Sequence, residues 1–216
     1  FTGWTGSNGS VPQTNITIEK GSIGERNYTA NWKVQEYKIT YNLNGGTANS
    51  LITSYNIESN TFTLPTPTRT GYTFEGWSGT GLNDLTKSVS VNKGNVGDRN
   101  YTANWKVIDY TITYDLDGGS VSSLVQKYNV ETNTFTLPTP TKTGYTFAGW
   151  TGTDVSSASK NVSVNKGSIG NRNYKANWNV NYYTVNYYVE GSLWATRQVA
   201  YNTTPENLDA QSALDI

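Results

Sequence analysis

Trp4, Trp77 and Trp150 stand 73 residues apart, and Trp32, Trp105 and Trp178 keep the same interval. A fixed period of that size, held without slippage, means tandem structural modules. The repeated phrases are long. Leu64 to Trp77 reads LPTPTRTGYTFEGW, Leu137 to Trp150 reads LPTPTKTGYTFAGW, and Phe1-Thr2-Gly3-Trp4 is the tail of the same phrase. Asn27 to Trp32, Asn100 to Trp105 and Asn173 to Trp178 are variants of a second one. Full modules therefore occupy 37–109 and 110–182. Residues 1–36 read as the C-terminal half of a module, and 183–216 as the start of a divergent one. In that last segment Asp117-Gly118-Gly119 has become Glu190-Gly191-Ser192, and Trp194 has no counterpart.

A module of this length lies near the lower limit for a self-sufficient core, so its few large residues must be used efficiently. Within a module the apolar residues alternate with period two. Tyr37, Ile39, Tyr41 and Leu43 share one face and Lys38, Thr40 and Asn42 the other, which predicts a strand. Asn44-Gly45-Gly46 supplies residues that tolerate positive φ, hence a turn. Ser54 to Leu64 predicts further strand interrupted at Glu58-Ser59-Asn60, and Pro65 and Pro67 end any ladder. Thr68 to Gly71 has room for one helical turn. Tyr72, Phe74 and Gly76 alternate with Thr73, Glu75 and Trp77, and the pattern leaves open which set faces inward. The variable stretches 78–86 and 151–159 read as surface loops. Val89 and Val91, and then Tyr101, Ala103, Trp105 and Val107, complete one aromatic-lined core per module. The connection at 106–109 carries no Gly, Pro or Ser, which predicts stiff coupling of neighbours.

The chemistry available is narrow. The chain has no Cys, His or Met, which removes thiol nucleophiles, imidazole bases, disulfides and most zinc and copper ligand sets. No cofactor or metal is expected, and no enzyme. Sixteen basic against 16 acidic residues give no net field for nucleic acid or an anionic membrane. No apolar run approaches the roughly 18–20 residues that span a bilayer, so neither a membrane span nor a signal peptide is expected within this sequence.

The phrases Tyr-x-Ile-Thr-Tyr-x-Leu-(Asn/Asp)-Gly-Gly, Leu-Pro-Thr-Pro-Thr-(Lys/Arg)-Thr-Gly-Tyr-Thr-Phe-x-Gly-Trp and Asn-Tyr-Thr-Ala-Asn-Trp resemble the Listeria–Bacteroides repeat, the B-repeat of internalin-type surface proteins. The likeness covers both full modules and the N-terminal half. The last segment departs from it and looks more like the start of a mucin-binding-protein module. The resemblance implies a mainly β, β-grasp-like fold with little helix, in a cell-wall-anchored or secreted bacterial protein. It also implies arrays placed between an adhesive head and the wall.

Three constellations compete with plain structural roles. Asp115-x-Asp117-Gly-Gly looks like the opening of a calcium loop, but the other copy has Asn42 and Asn44 there, so a turn is the expectation. Lys93, Asn104 and Glu58 recur as Lys166, Asn177 and Glu131 and could form an isopeptide bond, yet alternation puts Asn104 on a solvent face away from any shielding core. The in-register tryptophans suit core anchors, each large aromatic burying roughly 150–250 Å². Trp194, Tyr187 and Tyr188 are the better candidates for an exposed ligand-binding surface. The functional expectation is a non-catalytic stalk, monomeric and elongated. Its alternative is a module that binds host protein, mucin or glycan through exposed aromatic faces, with weak contacts summed by avidity.

Overall fold

The computed structural model describes residues 1–204; the end of the divergent segment expected over 183–216 lies outside them. The chain divides between Lys106 and Val107 into two compact units.

In the first unit, β1 (Gly3–Gly6), β2 (Gly9–Gln13) and β3 (Tyr28–Asn31) form an antiparallel sheet in the order β2-β1-β3. The full module follows with β4 (Tyr37–Asn42), β5 (Ser54–Tyr55), β6 (Phe62–Thr63), β7 (Tyr72–Gly79), β8 (Ser90–Val91) and β9 (Arg99–Val107). These make a four-stranded sheet, β5-β4-β9-β7, and a separate ribbon, β6-β8. The second unit repeats the plan with β10 (Tyr110–Asp115), β11 (Lys127–Tyr128), β12 (Phe135–Thr136), β13 (Tyr145–Gly152), β14 (Val155–Ser159), β15 (Ser163–Val164) and β16 (Arg172–Val180). Its sheet runs β11-β10-β16-β13-β14, beside the ribbon β12-β15. A hairpin of β17 (Tyr182–Val189) and β18 (Ser192–Ala200) completes it. The described residues contain no helix, so the chain is mainly β.

The sheets are mixed. The first strand of each module lies parallel to its last, Ile39 opposite Arg99 through Asn42 opposite Thr102, and Ile112 opposite Arg172 through Asp115 opposite Lys175. A parallel pair needs a long crossover, and the rest of the module supplies it. Each first strand ends in the expected turn: Asn44 and Gly45 have φ of 47° and 79°, Asp117 and Gly118 47° and 77°. Residues without a Cβ, or with a short polar side chain, tolerate that region.

The ambiguity at 72–77 is resolved by a β-bulge. In β13, Phe147 pairs with Trp178 and Gly149 with Asn177, so Ala148 faces no partner. One extra residue shifts the alternation by one, and both Phe147 and Trp150 enter the core where strict period two would admit only one. Gly149 sits at φ 140°, and a Cβ there would lie 2.5 Å from the Ser159 nitrogen, so the bulge requires glycine. Phe74, Gly76 and Trp77 repeat this burial in the first module.

Two local expectations are corrected. In place of a helical turn over Thr68 to Gly71, Thr68 bridges Thr47 and Arg69 to Tyr72 forms a single reverse turn closed by Tyr72 N–H donating to Arg69 O at 3.1 Å, with Gly71 at φ 77°; a left-handed residue ends the turn before a second helical bond can form. The stretch 151–159 is not wholly loop, because Val155–Ser159 pairs as β14 on β13. Its counterpart, with Gly-Leu-Asn-Asp in place of Asp-Val-Ser-Ser, keeps one bridge, Thr86 to Trp77.

Each module closes around its own core. Ile112, Phe147, Trp150, Tyr174 and Ala176 on the sheet meet Leu137, Val162 and Val164 on and beside the ribbon. The corresponding set in the first module is Ile39, Phe74, Trp77, Tyr101, Ala103, Leu64, Val89 and Val91.

The hairpin is tied to the module before it. Asn181 N–H donates to Gly144 O and Tyr201 N–H to Asn181 O, both at 2.9 Å. Thr146 Oγ1 donates to Asn181 Oδ1 at 2.6 Å. The Tyr201 ring meets Tyr145 edge-on at 6.0 Å.

Candidate functional site

The tryptophans of the full modules are spent on structure. Trp77 and Trp150 are 0% exposed, and Trp150 Nε1 donates to Pro138 O at 3.0 Å. Trp105 and Trp178 are half-buried; their Nε1 atoms donate to Leu43 O at 3.0 Å and Leu116 O at 3.1 Å. That bond ties the last strand to the turn after the first. The indole lies so close that a Cβ on Gly46 or Gly119 would overlap Cζ2 of Trp105 or Trp178, which explains the second glycine of each turn.

The N-terminal half-module differs. Trp32, the counterpart of Trp105, is 75% exposed, and Trp4, the counterpart of Trp77, is 37% exposed. The groups that cover these positions in the full modules come from their first halves, and residues 1–36 hold only a second half. Phe1 meets Trp4 and Trp32 edge-on at 5.4 Å each.

The hairpin sets two of the three nominated ligand contacts, Tyr187 and Tyr188, on opposite faces. Tyr187 and Trp194 are half-buried, and Tyr188 is 61% exposed. Tyr187 pairs with Ala195 and Tyr188 with Leu193, with a bulge between them that leaves Trp194 outside the register. Successive strand residues point to opposite faces, so Tyr187 and Tyr188 do not share a platform. Tyr182, Tyr183 and Leu193 are exposed as well.

A groove recurs at one place in both modules, lined by Gly45, Pro67, Arg69, Tyr72, Phe74 and Trp105 in the first and by their counterparts, with Lys142 for Arg69, in the second. Its tyrosine face is already taken. The Arg69 guanidinium lies 3.7 Å over the Tyr72 ring and Lys142 Nζ 4.4 Å over Tyr145, a cation–π arrangement. On that face the cation stands where a sugar ring would stack.

The acidic pair of the second module serves its turn. Asp115 Oδ1 accepts from Asp117 N–H at 3.0 Å. Their carboxylates lie 3.7 Å from Lys175 and Lys142 respectively. Asn104 is half-buried, not solvent-facing: its Nδ2 donates to Gly76 O, Ser78 Oγ and Thr102 O at 3.2, 2.9 and 3.0 Å. The neighbouring strand β7 supplies two of these acceptors and covers that face. Asn177 does the same with Gly149, Thr151 and Lys175. The amide of an isopeptide acceptor is thus committed to the neighbouring strand, while Lys93 and Glu58 are exposed.

A polar groove of about 480 Å³ in the second module contains Asp154, Ser156, Ser159, Arg172 and Tyr174. Burial opposes the charge on Arg172, but its bonds to Tyr174, Tyr128 and Asp154 outweigh that and raise its pKa further.

The sequence pattern of the Listeria-Bacteroides repeat domain matches residues 37–102 and 110–174. A protein of Evansella cellulosilytica described as a membrane protein is 29% identical over 181 residues, which are 81% of this chain and 26% of that protein. A second protein of the same organism, described as a Gly-rich membrane protein, is 29% identical over 167 residues, 75% of this chain and 18% of its own length. Internalin H of Listeria monocytogenes is 33% identical over 84 residues, 39% of this chain and 15% of that protein. The chain thus spans about a quarter or less of each of these relatives. No solved structure is significantly similar to it.

Proposed function

The chain belongs to the Listeria-Bacteroides repeat domain family, and from that premise we propose that it is a non-catalytic tandem spacer that carries a binding head away from a bacterial surface. The family is typical of surface proteins such as internalins, and likeness to internalin H and to proteins described as membrane proteins agrees with a surface or secreted setting. No helix among the described residues is long and apolar enough to cross a membrane.

One observation carries the spacer reading: the tryptophans recurring in the full modules are enclosed within each module's own core or bonded to its backbone. A repeat that bound ligand through an aligned aromatic face would leave them bare. A module of this size has a radius of gyration of roughly 11 Å. Arrays of one, two, three and four modules, measured by small-angle X-ray scattering, should gain a constant increment of maximum dimension per module. A maximum dimension that levels off as modules are added overturns the reading.

A second reading, binding of host protein, mucin or glycan, is favoured only by the exposed Tyr182, Tyr183, Tyr188 and Leu193 of the hairpin. Glycan-array binding lost on Tyr188→Ala would favour it over the spacer.

A further inference from the structure

Arg99 and Arg172 occupy the same place in the two modules and grip the same two tyrosines. Arg172 Nε donates to Tyr128 Oη at 2.9 Å and Nη1 to Tyr174 Oη at 3.4 Å. Arg99 Nε donates to Tyr55 Oη at 2.9 Å and Nη1 to Tyr101 Oη at 3.3 Å. The anion is what differs. Nη1 of Arg172 also donates to Asp154 Oδ2 at 2.9 Å. Asp154 stands in the turn between β13 and β14, at φ 61°. The first module has Gly81 at that place, at φ 75°, and a Cβ there would lie 4.0 Å from Arg99 Nη1. The backbone has the same left-handed conformation, and only the carboxylate is missing.

No described carboxylate takes its place. The ion pairs among the described residues involve Lys142, Arg172 and Lys175, not Arg99. Asp98 is adjacent in the chain, but its Oδ1 accepts from Lys38 N–H at 2.8 Å, a role Asn171 plays for Thr111 in the second module. Asp84, in the same loop as Gly81, makes no ion pair with Arg99. A half-buried guanidinium with five N–H donors is thus held by two neutral phenols, with no described carboxylate on the side that meets an aspartate in its twin. Guanidinium is suited to a carboxylate at such a site, through charge-assisted hydrogen bonds.

We propose that Arg99, positioned by Tyr55 and Tyr101, is a binding site for an aspartyl carboxylate of an acidic polypeptide, supplied from another chain in the first module as Asp154 supplies it from within in the second. A polypeptide source is argued by the internal occupant itself, a single aspartate presented on a turn. The site stands independently of the spacer reading, since a spacer needs no such contact.

The test uses the full chain, with the Nε–Hε resonances of Arg99 and Arg172 followed by NMR while an acetyl-Gly-Asp-Gly-amide peptide is added. Arg99 should shift with saturation in the millimolar range while Arg172 stays still. Gly81→Asp should weaken binding at Arg99 by about tenfold or more, as loss of a hydrogen bond to a charged group implies. Asp154→Gly should give Arg172 the response of Arg99, an independent readout should Gly81→Asp disturb the first module. Equal, non-saturating shifts at both arginines would overturn the proposal, as would unchanged binding in Gly81→Asp with a native amide spectrum. Saturation by a uronic-acid oligosaccharide with no response to the peptide would overturn the polypeptide assignment.

Discussion

The ring of Tyr201 lies over Gly144 and occupies the place where any side chain at 144 would begin. Gly144 is at φ 78° and is buried, so two independent constraints, the left-handed backbone and the covering ring, exclude a Cβ there. Tyr201→Ala removes the ring without straining the backbone. An aromatic contact of this kind is worth about 0.5–1.5 kcal/mol. Amide exchange in β17 and β18 should therefore accelerate several-fold while the exchange-protected amides of β13 and β16 keep their rates. Equal acceleration in both places would show that the hairpin and module open together.

The bulge makes a stronger demand. Gly149→Ala puts a methyl against the β14 backbone at a φ that L-residues avoid, and each strained residue of this kind costs about 1–3 kcal/mol. Trp150→Ala empties the centre of the same core and should cost about 3–5 kcal/mol. Urea unfolding followed by residue-resolved NMR should show both losses in the second module. The first module, with its separate core around Trp77, should keep its midpoint in both variants.

Alkaline stability depends on two equivalent tyrosines. Burial, and secondarily the nearby Tyr101 and Tyr174, push Tyr41 and Tyr114 from 10.0 to about 12. A phenol whose folded pKa is raised holds its proton more tightly when folded, so the stability it contributes is complete below pH 10 and is lost as pH rises toward 12. Ultraviolet titration should reveal a late tyrosinate component that Tyr41→Phe with Tyr114→Phe removes. The double variant should lose less stability across that window than the parent chain.

Asn177 closes three hydrogen bonds to its own and the neighbouring strand. Asn177→Ala leaves the Gly149 carbonyl beside the bulge without this donor, and an unsatisfied buried acceptor costs about 1–3 kcal/mol. Thermal unfolding of the variant should show a loss in that range. No measurable change would mean that water replaces the amide.

Much of this architecture is written in the alternation of single strands. Tyr37 to Leu43 shows its buried face directly, and Asn44-Gly45-Gly46 shows its turn, because both depend on neighbours in sequence. The tryptophans read as core anchors, but how Phe147 and Trp150, three residues apart, enter one core was not legible, because a bulge shifts register by one residue and the close approach of β14 to Gly149 comes from nine or ten residues downstream. Asn104 lies on the face its alternation predicts, but the neighbouring strand β7 covers it, which strand-by-strand alternation does not show. Arg99 and Arg172 look interchangeable in the sequence; only the geometry shows that Gly81 and Asp154 stand in front of them and make the two copies chemically different.

The parallel pairing of β10 with β16 also decides how a module answers mechanical load. Tension applied to the two ends draws these strands in opposite directions along their own axes. The rungs from Ile112–Arg172 to Asp115–Lys175 are then strained in shear together and cannot open one after another like a zipper. An extensible tether in flowing liquid would thus yield by whole modules, each holding until its terminal strands slide apart.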